Sequence, residues 1–354
     1  MRGLLAWMRG WTASSGPGTI AASLRRGPVT WLFLCGALLT GAILVGTAVM
    51  IGQFRERALA NGERELENTV RLLTRHFDQQ FEDSSTIARN IIAQMGIPQM
   101  TSPDQLRQEL SGIEAHELLQ SRVSMLSYIG DVGIFGVSGR LINSSALWPP
   151  PAIDISDRPY FSTLRSGSRY MSVLAEAVRR DFAGGWTTVI AHRLSGPDGV
   201  FLGVIDRHID PTSFEKFFAS VALGKGAAIS MFHRDGTLIA RHPHIESMIG
   251  QNFANGPLVS GVRAHGGIRT MRVRSPVDGE ERLGSAASLR DYPITIVATT
   301  TIASVLADWR DQTRTMIAGA CLLTLAIGLT LLLIIRQIKR QNREQQQRVV
   351  KFKA

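Results

Sequence analysis

Two stretches of the chain carry no charged residue and are long enough to cross a membrane as helices. Residues 29–52 and 315–335 hold 24 and 21 uncharged residues. A helix rises about 1.5 Å per residue, so each stretch would span the roughly 30 Å hydrocarbon core. The alternatives are a buried core helix or, for the first stretch, a cleaved signal peptide. Core helices seldom lack charge on every face, and the apolar part of a signal peptide is only about 7–15 residues long. The pattern predicts two transmembrane helices.

Residues 53–95, directly after the first stretch, are expected to form one long stalk helix. Two interleaved series recur every seven residues, and their members are Leu59, Leu66, Leu73, Val70, Phe77, Ser84 and Ile91. This spacing is typical of a coiled-coil seam and predicts a homodimer through the stalk helix. The alternative is a single amphipathic helix that packs on its own domain. We expect Asn61-Gly62 to bend or break the helix, and Gly96-Ile97-Pro98 to end it.

The region after the stalk contains two similar halves. After a helix over residues 102–124, a hairpin pattern covers residues 132–144, with a Ser-Gly turn at Gly139. A second hairpin pattern covers residues 227–241, with an Asp-Gly turn at Gly236. A helical segment, residues 210–223, joins the halves, and a helix over 302–314 follows the last strand. We predict an α+β fold with two tandem antiparallel-sheet modules, residues 125–210 and 224–300.

Charge is distributed unevenly along the chain. The formal net charge is +10, but residues 53–314 hold 28 basic and 28 acidic residues, so their net charge is zero. The excess lies in the tails, residues 1–28 and 336–354, next to the two apolar stretches. The positive-inside rule therefore predicts that both termini are cytoplasmic and that residues 53–314 lie outside. Because the excess charge is accounted for in this way, nothing in the sequence supports binding to nucleic acid.

The sequence gives no support for catalysis. Cys35 and Cys321 lie in the two apolar stretches, so the region between them has neither disulfides nor thiolate metal sites. His242 and His244 stand near an acidic residue, but Pro243 interrupts any helical register, and we interpret this segment as a solvated loop. No nucleophile with a matching base, no phosphate-binding loop and no metal-ligand cluster is recognisable. We expect neither an enzyme nor a bound cofactor or metal.

The order of elements resembles the double Cache sensor domains of bacterial receptors, which consist of a stalk helix and two PAS-like modules between transmembrane helices. Particular segments resemble the sensor halves of alphaproteobacterial diguanylate cyclases and histidine kinases; they are residues 157–161, 185–193, 199–204, 209–211 and 226–243. The resemblance implies a two-pass protein of the bacterial inner membrane with a periplasmic sensor. It also implies a small-molecule site in the membrane-distal module, residues 125–210.

The family's amino-acid-binding motif is not met in this sequence. Members that bind amino acids have an Arg-x-Trp-Tyr stretch, a Tyr five residues before that Arg, and an Asp on a later strand. Arg158 matches the Arg, while His208 stands where the Asp would be. The other positions hold Ile153, Tyr160 and Phe161 in place of Tyr, Trp and Tyr. The resemblance therefore implies a small ligand, expected to carry an anionic group, but not an ordinary amino acid.

Eight residues are candidates for contact with this ligand: Trp148, Asp157, Arg158, Tyr160, Phe161, Trp186, Asp206 and His208. Arg158 offers a planar fork that suits a carboxylate or phosphate, and its alternative role is a salt bridge to Asp154 or Asp157. Trp148, Tyr160 and Trp186 would form an aromatic wall of the pocket or, alternatively, belong to the core. Asp206 and His208 share one face of an apolar strand. Polar residues there reduce stability unless they have hydrogen-bond partners or serve a function.

These features predict a transmembrane receptor that relays binding of a small molecule through its membrane helices. Residues 336–354 form a basic, Gln-rich, helix-like tail of the kind that leads into an output domain. The chain is therefore expected to act on a cytoplasmic output partner. One alternative is that it is the sensor portion of a truncated diguanylate cyclase or histidine kinase. Another is a membrane assembly module that binds protein and no ligand.

Overall fold

The computed structural model describes residues 28–124, 130–167, 172–174, 178–179, 186–221 and 223–353. The helices are α1 (Pro28–Gln94), α2 (Pro103–Leu110), α3 (Ile113–Ser124), α4 (Pro159–Arg165), α5 (Pro211–Ser220), α6 (Pro257–His265), α7 (Ile302–Val305) and α8 (Ala307–Lys353). Short 3₁₀ helices cover Ile97–Gln99 and Glu246–Met248. The first six strands are β1 (Val132–Gly136), β2 (Leu141–Ser144), β3 (Ser172–Leu174), β4 (Val178–Arg179), β5 (Trp186–Ser195) and β6 (Phe201–Ile209). The other five are β7 (Ala228–His233), β8 (Leu238–His242), β9 (Arg269–Arg274), β10 (Glu281–Ser288) and β11 (Ile294–Thr301).

The chain divides into an apolar unit, which contains residues 28–57 and 307–353, and a folded unit, residues 58–306. By length and composition, α1 and α8 each contain a candidate membrane span, with mean hydropathies of 2.2 and 2.5. Within the apolar unit the two helices are in contact. A Cβ atom on Gly36 would lie 2.2 Å from Leu331 Cδ1, and the Trp309 indole N–H donates to the Ile51 carbonyl over 3.0 Å. The described helices therefore agree with the two predicted transmembrane segments.

Helix α1 has no break at Asn61-Gly62, so the expected interruption there is wrong. Gly62 is buried, and a Cβ atom at this position would lie 3.0 Å from a side-chain methyl of Val305 and 3.4 Å from one of Leu283. The glycine therefore allows the helix to pass close to its neighbours. The predicted end of the helix is confirmed, since it stops at Gln94 and Gly96 adopts the left-handed conformation with φ of 68°.

The residues with seven-residue spacing pack inside their own chain, which corrects the prediction that they form a seam between two copies. Leu66, Val70, Leu73 and Phe77 belong to one buried cluster with strands of both sheets and with α5. The remaining members of the two series are also buried; they are Leu59, Ser84 and Ile91. Within the folded unit, residues 58–94, the outer face of α1 is mostly polar, with Leu72 as an exposed exception. The alternative interpretation, an amphipathic helix on its own domain, fits this burial.

The helix predicted over residues 102–124 is divided in two. Ser102 caps α2 as expected, and its hydroxyl accepts a hydrogen bond from the Gln105 N–H at 3.2 Å. The chain leaves the helix at Ser111-Gly112 and begins again as α3 at Ile113. Both helices cover the sheet of the first module, residues 130–209, with Leu106, Leu110 and other apolar side chains of a second cluster.

The two modules share one sheet topology. The sheet of the first module has the order β2-β1-β6-β5-β3, and β4 also pairs with β5. The sheet of the second module, residues 223–301, has the corresponding order β8-β7-β11-β10-β9, and every strand pair in both is antiparallel. This confirms the predicted α+β fold with two tandem modules.

Each sheet is packed on both faces. One face is covered by α1 and its neighbours. The other face is covered by a short helix that begins with proline, α4 in the first module and α6 in the second. The hairpin glycines are equivalent, because Gly139 and Gly236 have φ values of 83° and 101°. A Cβ atom on either would lie within 2.6 Å of the backbone of the loop that leads to this helix.

Candidate functional site

The centre of the candidate site is the carboxylate of Asp206, which lies on β6 in the first module. Its side chain is buried on the sheet face that α4 covers. The neighbouring strand presents Gly133 opposite Asp206, and a Cβ atom there would lie 2.9 Å from Asp206 Oδ1. The Tyr160 hydroxyl, on the first turn of α4, donates to Asp206 Oδ2 over 3.1 Å. A charged group therefore lies within an otherwise apolar interior.

Burial raises the pKa of Asp206, because the ionised form loses its solvation. The neighbouring His208, the Tyr160 hydroxyl and the Gly133 N–H act in the opposite direction and lower it. Burial is also the main reason that the pKa of Tyr160 is raised, with the Asp206 charge adding to the effect. The Tyr160 hydroxyl therefore stays protonated and acts as a hydrogen-bond donor to the carboxylate.

Two polar atoms of this site have no hydrogen-bond partner among the described residues. Asp206 Oδ1 is buried without a hydrogen-bond partner among the described residues, although the Gly133 N–H is near enough to lower the pKa of the carboxyl group. His208 Nδ1 is buried as well, and His208 Nε2 lies 3.9 Å from Asp206 Oδ1. A buried polar atom without a partner costs about 1–3 kcal/mol. A ligand with a hydrogen-bond donor would recover this free energy.

Arg158 lies at the N-terminus of α4, two residues before Tyr160, where it is the N-cap residue. Its side chain is partly buried, and its positive charge acts to lower the pKa of Tyr160. Arg158 Nε lies 3.7 Å from Asp157 Oδ1, a long ion pair to a carboxylate that is 79% exposed. Asp154 instead accepts a hydrogen bond from the Ser156 N–H at 2.9 Å. Of the two alternative partners that the sequence offered, Asp157 is the one that the structure pairs with Arg158.

The predicted aromatic wall is not formed, because its three members lie in different places. Side chains alternate along a strand, so Trp186 projects from the face of β5 opposite to that of Ala191, which pairs with Asp206. It packs against the apolar cluster of the second module, with its ring at Gly250. Trp148 lies beside His116 of α3, at 5.7 Å between ring centres. Tyr160 alone of the three donates to Asp206.

Phe161 lies in the core beside the site, where it is 1% exposed. It packs edge-on against Phe201 with ring centres 5.9 Å apart. Its burial fixes α4 over the sheet and so determines where Tyr160 lies.

Arg193 on β5 holds α4 in place and was not singled out from the sequence. Its guanidinium donates to the carbonyl oxygens of Leu164 and Arg165 at the end of α4, and it lies 4.7 Å from the centre of the Phe201 ring. A charged residue within an apolar strand was the available signal. Asp206 and His208 carry the same signal on β6.

A polar cluster on the opposite face of the same sheet was also missed. Arg207 is buried and donates from Nη1 to the Ser84 carbonyl of α1 over 3.1 Å. His192 on β5 is buried nearby, and its Nε2 has no partner among the described residues. Burial, reinforced by the positive charges of Arg207 and Arg89, lowers the pKa of His192 to about 4. His192 is therefore neutral at physiological pH, and the cluster joins the sheet to α1.

A model for a histidine kinase sensor domain of the dCache_1-like family matches residues 211–299, which cover nearly all of the second module. Solved structures match a much larger part of the chain. The extracellular domain of the proposed histidine kinase rpHK1S-Z16 is 28% identical, covers 71% of this chain and 99% of its own, and has a TM-score of 0.61. A search of curated proteins gave no match.

Two further sensory or ligand-binding domains show the same fold at lower identity. The periplasmic sensory domain of Tlp1 from Campylobacter jejuni is 11% identical, covers 70% of this chain and 98% of its own, and has a TM-score of 0.55. The ligand-binding domain of Mlp24, solved with asparagine, is 16% identical and has a TM-score of 0.51. The match covers 72% of this chain and 98% of the Mlp24 domain. Together with the family match, these structures confirm the resemblance that the sequence motifs indicated.

Proposed function

We propose that this chain, whose folded unit is a double Cache sensor domain, is a transmembrane receptor that binds a small molecule in its first module. The observation that carries the proposal is the buried Asp206 carboxylate with an unfilled acceptor position beneath α4. Related domains supply a precedent, since Mlp24 was solved with asparagine. Our proposal concerns a binding protein rather than an enzyme.

The ligand that suits this site has a hydrogen-bond donor at one end and an anionic group at the other. The donor would bind Asp206 Oδ1, where a cationic donor would also offset the effect of burial and favour the ionised carboxylate. The anionic group would bind the guanidinium of Arg158. Because the amino-acid motif is not met, we infer a ligand of this charge pattern other than an ordinary amino acid.

Signal relay is proposed to use the two long helices. Helix α1 continues from its apolar segment to residues that pack against both sheets. After the last strand, β11 is followed directly by α7, and Leu306 alone separates α7 from α8. We infer that a change in the first module alters the packing of α1 and that α8 carries the change to a cytoplasmic output partner or domain. Both termini are cytoplasmic in this proposal, and the sensor is periplasmic.

The binding proposal is tested by thermal shift on the full chain in detergent micelles, with a panel of amines, hydroxy acids and zwitterionic metabolites. We expect at least one compound with both a donor and an anionic group to raise the melting temperature. Arg158→Ala and Asp206→Asn should each lower its affinity by about 10- to 150-fold, the equivalent of a charge-assisted hydrogen bond. Matched controls at exposed positions of the same module, Arg165→Ala and Asp198→Asn, should leave affinity unchanged.

The proposal is wrong if a bound compound keeps its affinity in both site variants. It is equally wrong if only compounds lacking a donor bind. Unfolding by Arg158→Ala alone would assign that residue a structural role, and the Asp206→Asn result would then decide whether the site binds ligand.

A further inference from the structure

The second module contains a cavity at the position that corresponds to the Asp206 site of the first module. The cavity has a volume of about 80 Å³ and lies between the sheet and α6. The pairing register makes the two places equivalent: Gly133 pairs with Asp206 in the first sheet, and Ser230 pairs with Val297 in the second. Ser230 and Val297 both line the cavity. The second module therefore has a pocket of its own, without the carboxylate.

Arginine side chains supply the charge of this cavity. Arg241, Arg274 and Arg282 are among its lining residues, whereas no acidic side chain is found among the described residues that line it. Asp278 lies at its margin and is engaged by Arg282 through a 2.5 Å ion pair. That ion pair and two further acceptors, the Gly226 carbonyl and the Thr299 hydroxyl, hold Arg282 in place. The charge of Arg282 is therefore balanced by Asp278, and its guanidinium is held by protein acceptors.

Arg241 is less fully satisfied. Its Nη1 donates to the Ser230 hydroxyl over 3.2 Å, but its Nε is buried without a hydrogen-bond partner among the described residues. Burial and the nearby charge of Arg282 lower the pKa of Arg241, and the charge of Asp278 only partly opposes them, so the ionised form is held at a cost. Glu215 accepts a hydrogen bond from the Arg241 backbone N–H, and its carboxylate also pairs with His244.

The rest of the wall is apolar and comes from all sides of the cavity. Phe232 and Val297 belong to the sheet, Leu258 and Val259 to α6, and Phe253 to the loop before it. One water needs roughly 10–15 Å³ of such space, so the cavity has room for several non-hydrogen atoms. A guanidinium at one side of an apolar pocket is the arrangement that suits a short organic acid, with its carboxylate on the cation and its chain against the apolar wall.

We propose that the second module binds a small organic monoanion, a carboxylate with a short apolar chain, with Arg241 as its main ligand. This site is separate from the one proposed in the first module. It takes an anion without a donor group, and it uses none of the residues around Asp206. An experiment that refutes one of the two sites therefore does not refute the other.

Isothermal titration calorimetry on the full chain in nanodiscs tests the proposal, with butyrate as the probe. We expect butyrate to bind, and butyramide, which has the same shape without the charge, to bind at least about tenfold more weakly. Inorganic phosphate should also bind more weakly, because it has no apolar group. Equal binding of phosphate and butyrate, or of butyramide and butyrate, would overturn the proposed ligand class.

Three variants assign the binding to this cavity. Arg241→Met keeps an apolar stem and should lower butyrate affinity at least about tenfold, while Arg241→Lys keeps a charge and should lose less. Arg272→Met removes an exposed arginine from β9 and should leave affinity unchanged. Full butyrate affinity in Arg241→Met, or an equal loss in Arg272→Met, would refute the site.

Discussion

At the scale of single residues, His192 determines part of the pH dependence of stability. Its folded-state pKa of about 4 lies below the ordinary value of 6.5, so protonation favours the unfolded chain. Its contribution is complete above pH 6.5 and is lost as the pH falls towards 4. Between pH 7.5 and pH 5 this amounts to about 2 kcal/mol, since one pKa unit corresponds to about 1.4 kcal/mol.

His192→Gln should therefore lose less stability than the wild type between pH 7.5 and pH 5, as measured by melting temperature in detergent micelles. For a domain of this size about 2 kcal/mol corresponds to roughly 4–8 °C. The exposed His265 provides the control, since His265→Gln should keep the wild-type pH dependence. Identical pH dependence in the His192 variant and the wild type would show that His192 is not buried in the neutral form.

Part of the site could be predicted from the sequence because charged residues in apolar strands are visible there. Asp206 and His208 were found in this way, and alternation along β6 correctly placed them on one face. The aromatic residues were harder, because an aromatic residue on a strand is equally compatible with a core and with a pocket. Trp186 was misplaced, since the sequence alone does not say which face of β5 is covered by which module.

At the scale of elements, the packing of α1 predicts a sharp contrast between two apolar residues of the same helix. Phe77 is 1% exposed and contacts the rings of Phe81, Phe214, Phe217 and Phe218. Phe77→Ala should destabilise the folded chain by about 3–5 kcal/mol, which corresponds to at least roughly 6 °C in melting temperature. Leu72, which is 66% exposed, is the control, and Leu72→Ala should change the melting temperature little.

An equal effect of the two substitutions would show that the outer face of α1 packs against something else, such as a second copy. The sequence could predict the helix and its apolar face, but not which part of the protein packs against that face. A seven-residue spacing only requires that one face be covered. The chain itself covers that face here, with α5 and the two sheets.

The hairpins and their turns were predicted correctly, because Gly139 and Gly236 are needed for positive φ angles in tight turns. Gly62 was misinterpreted because a glycine in a helix pattern has two opposite meanings. It marks either a break or a close approach, and only the positions of Val305 and Leu283 distinguish them. Local sequence carries the first kind of information, and tertiary contacts carry the second.

At the scale of the whole molecule, the uneven charge predicts the orientation in the membrane. In a background where Cys35 and Cys321 are replaced by alanine, Asp198→Cys lies on an exposed turn of the first module, and Gln341→Cys lies near the end of α8. We expect a membrane-impermeant thiol reagent to label the first in intact spheroplasts and the second only after lysis. Labelling in the opposite order would invert the topology and exclude a periplasmic sensor.

The sharing of α1 by both modules has a consequence for how the domain unfolds. Leu66, Val70 and Phe77 pack in a cluster that includes Ile190 and Ile209 of the first sheet and Ile229 and Ile296 of the second. Neither sheet can separate from the helix without exposing apolar surface that the other also covers. We therefore expect the two modules to unfold as one cooperative unit, with a single calorimetric transition and similar protection of both sheets from hydrogen exchange.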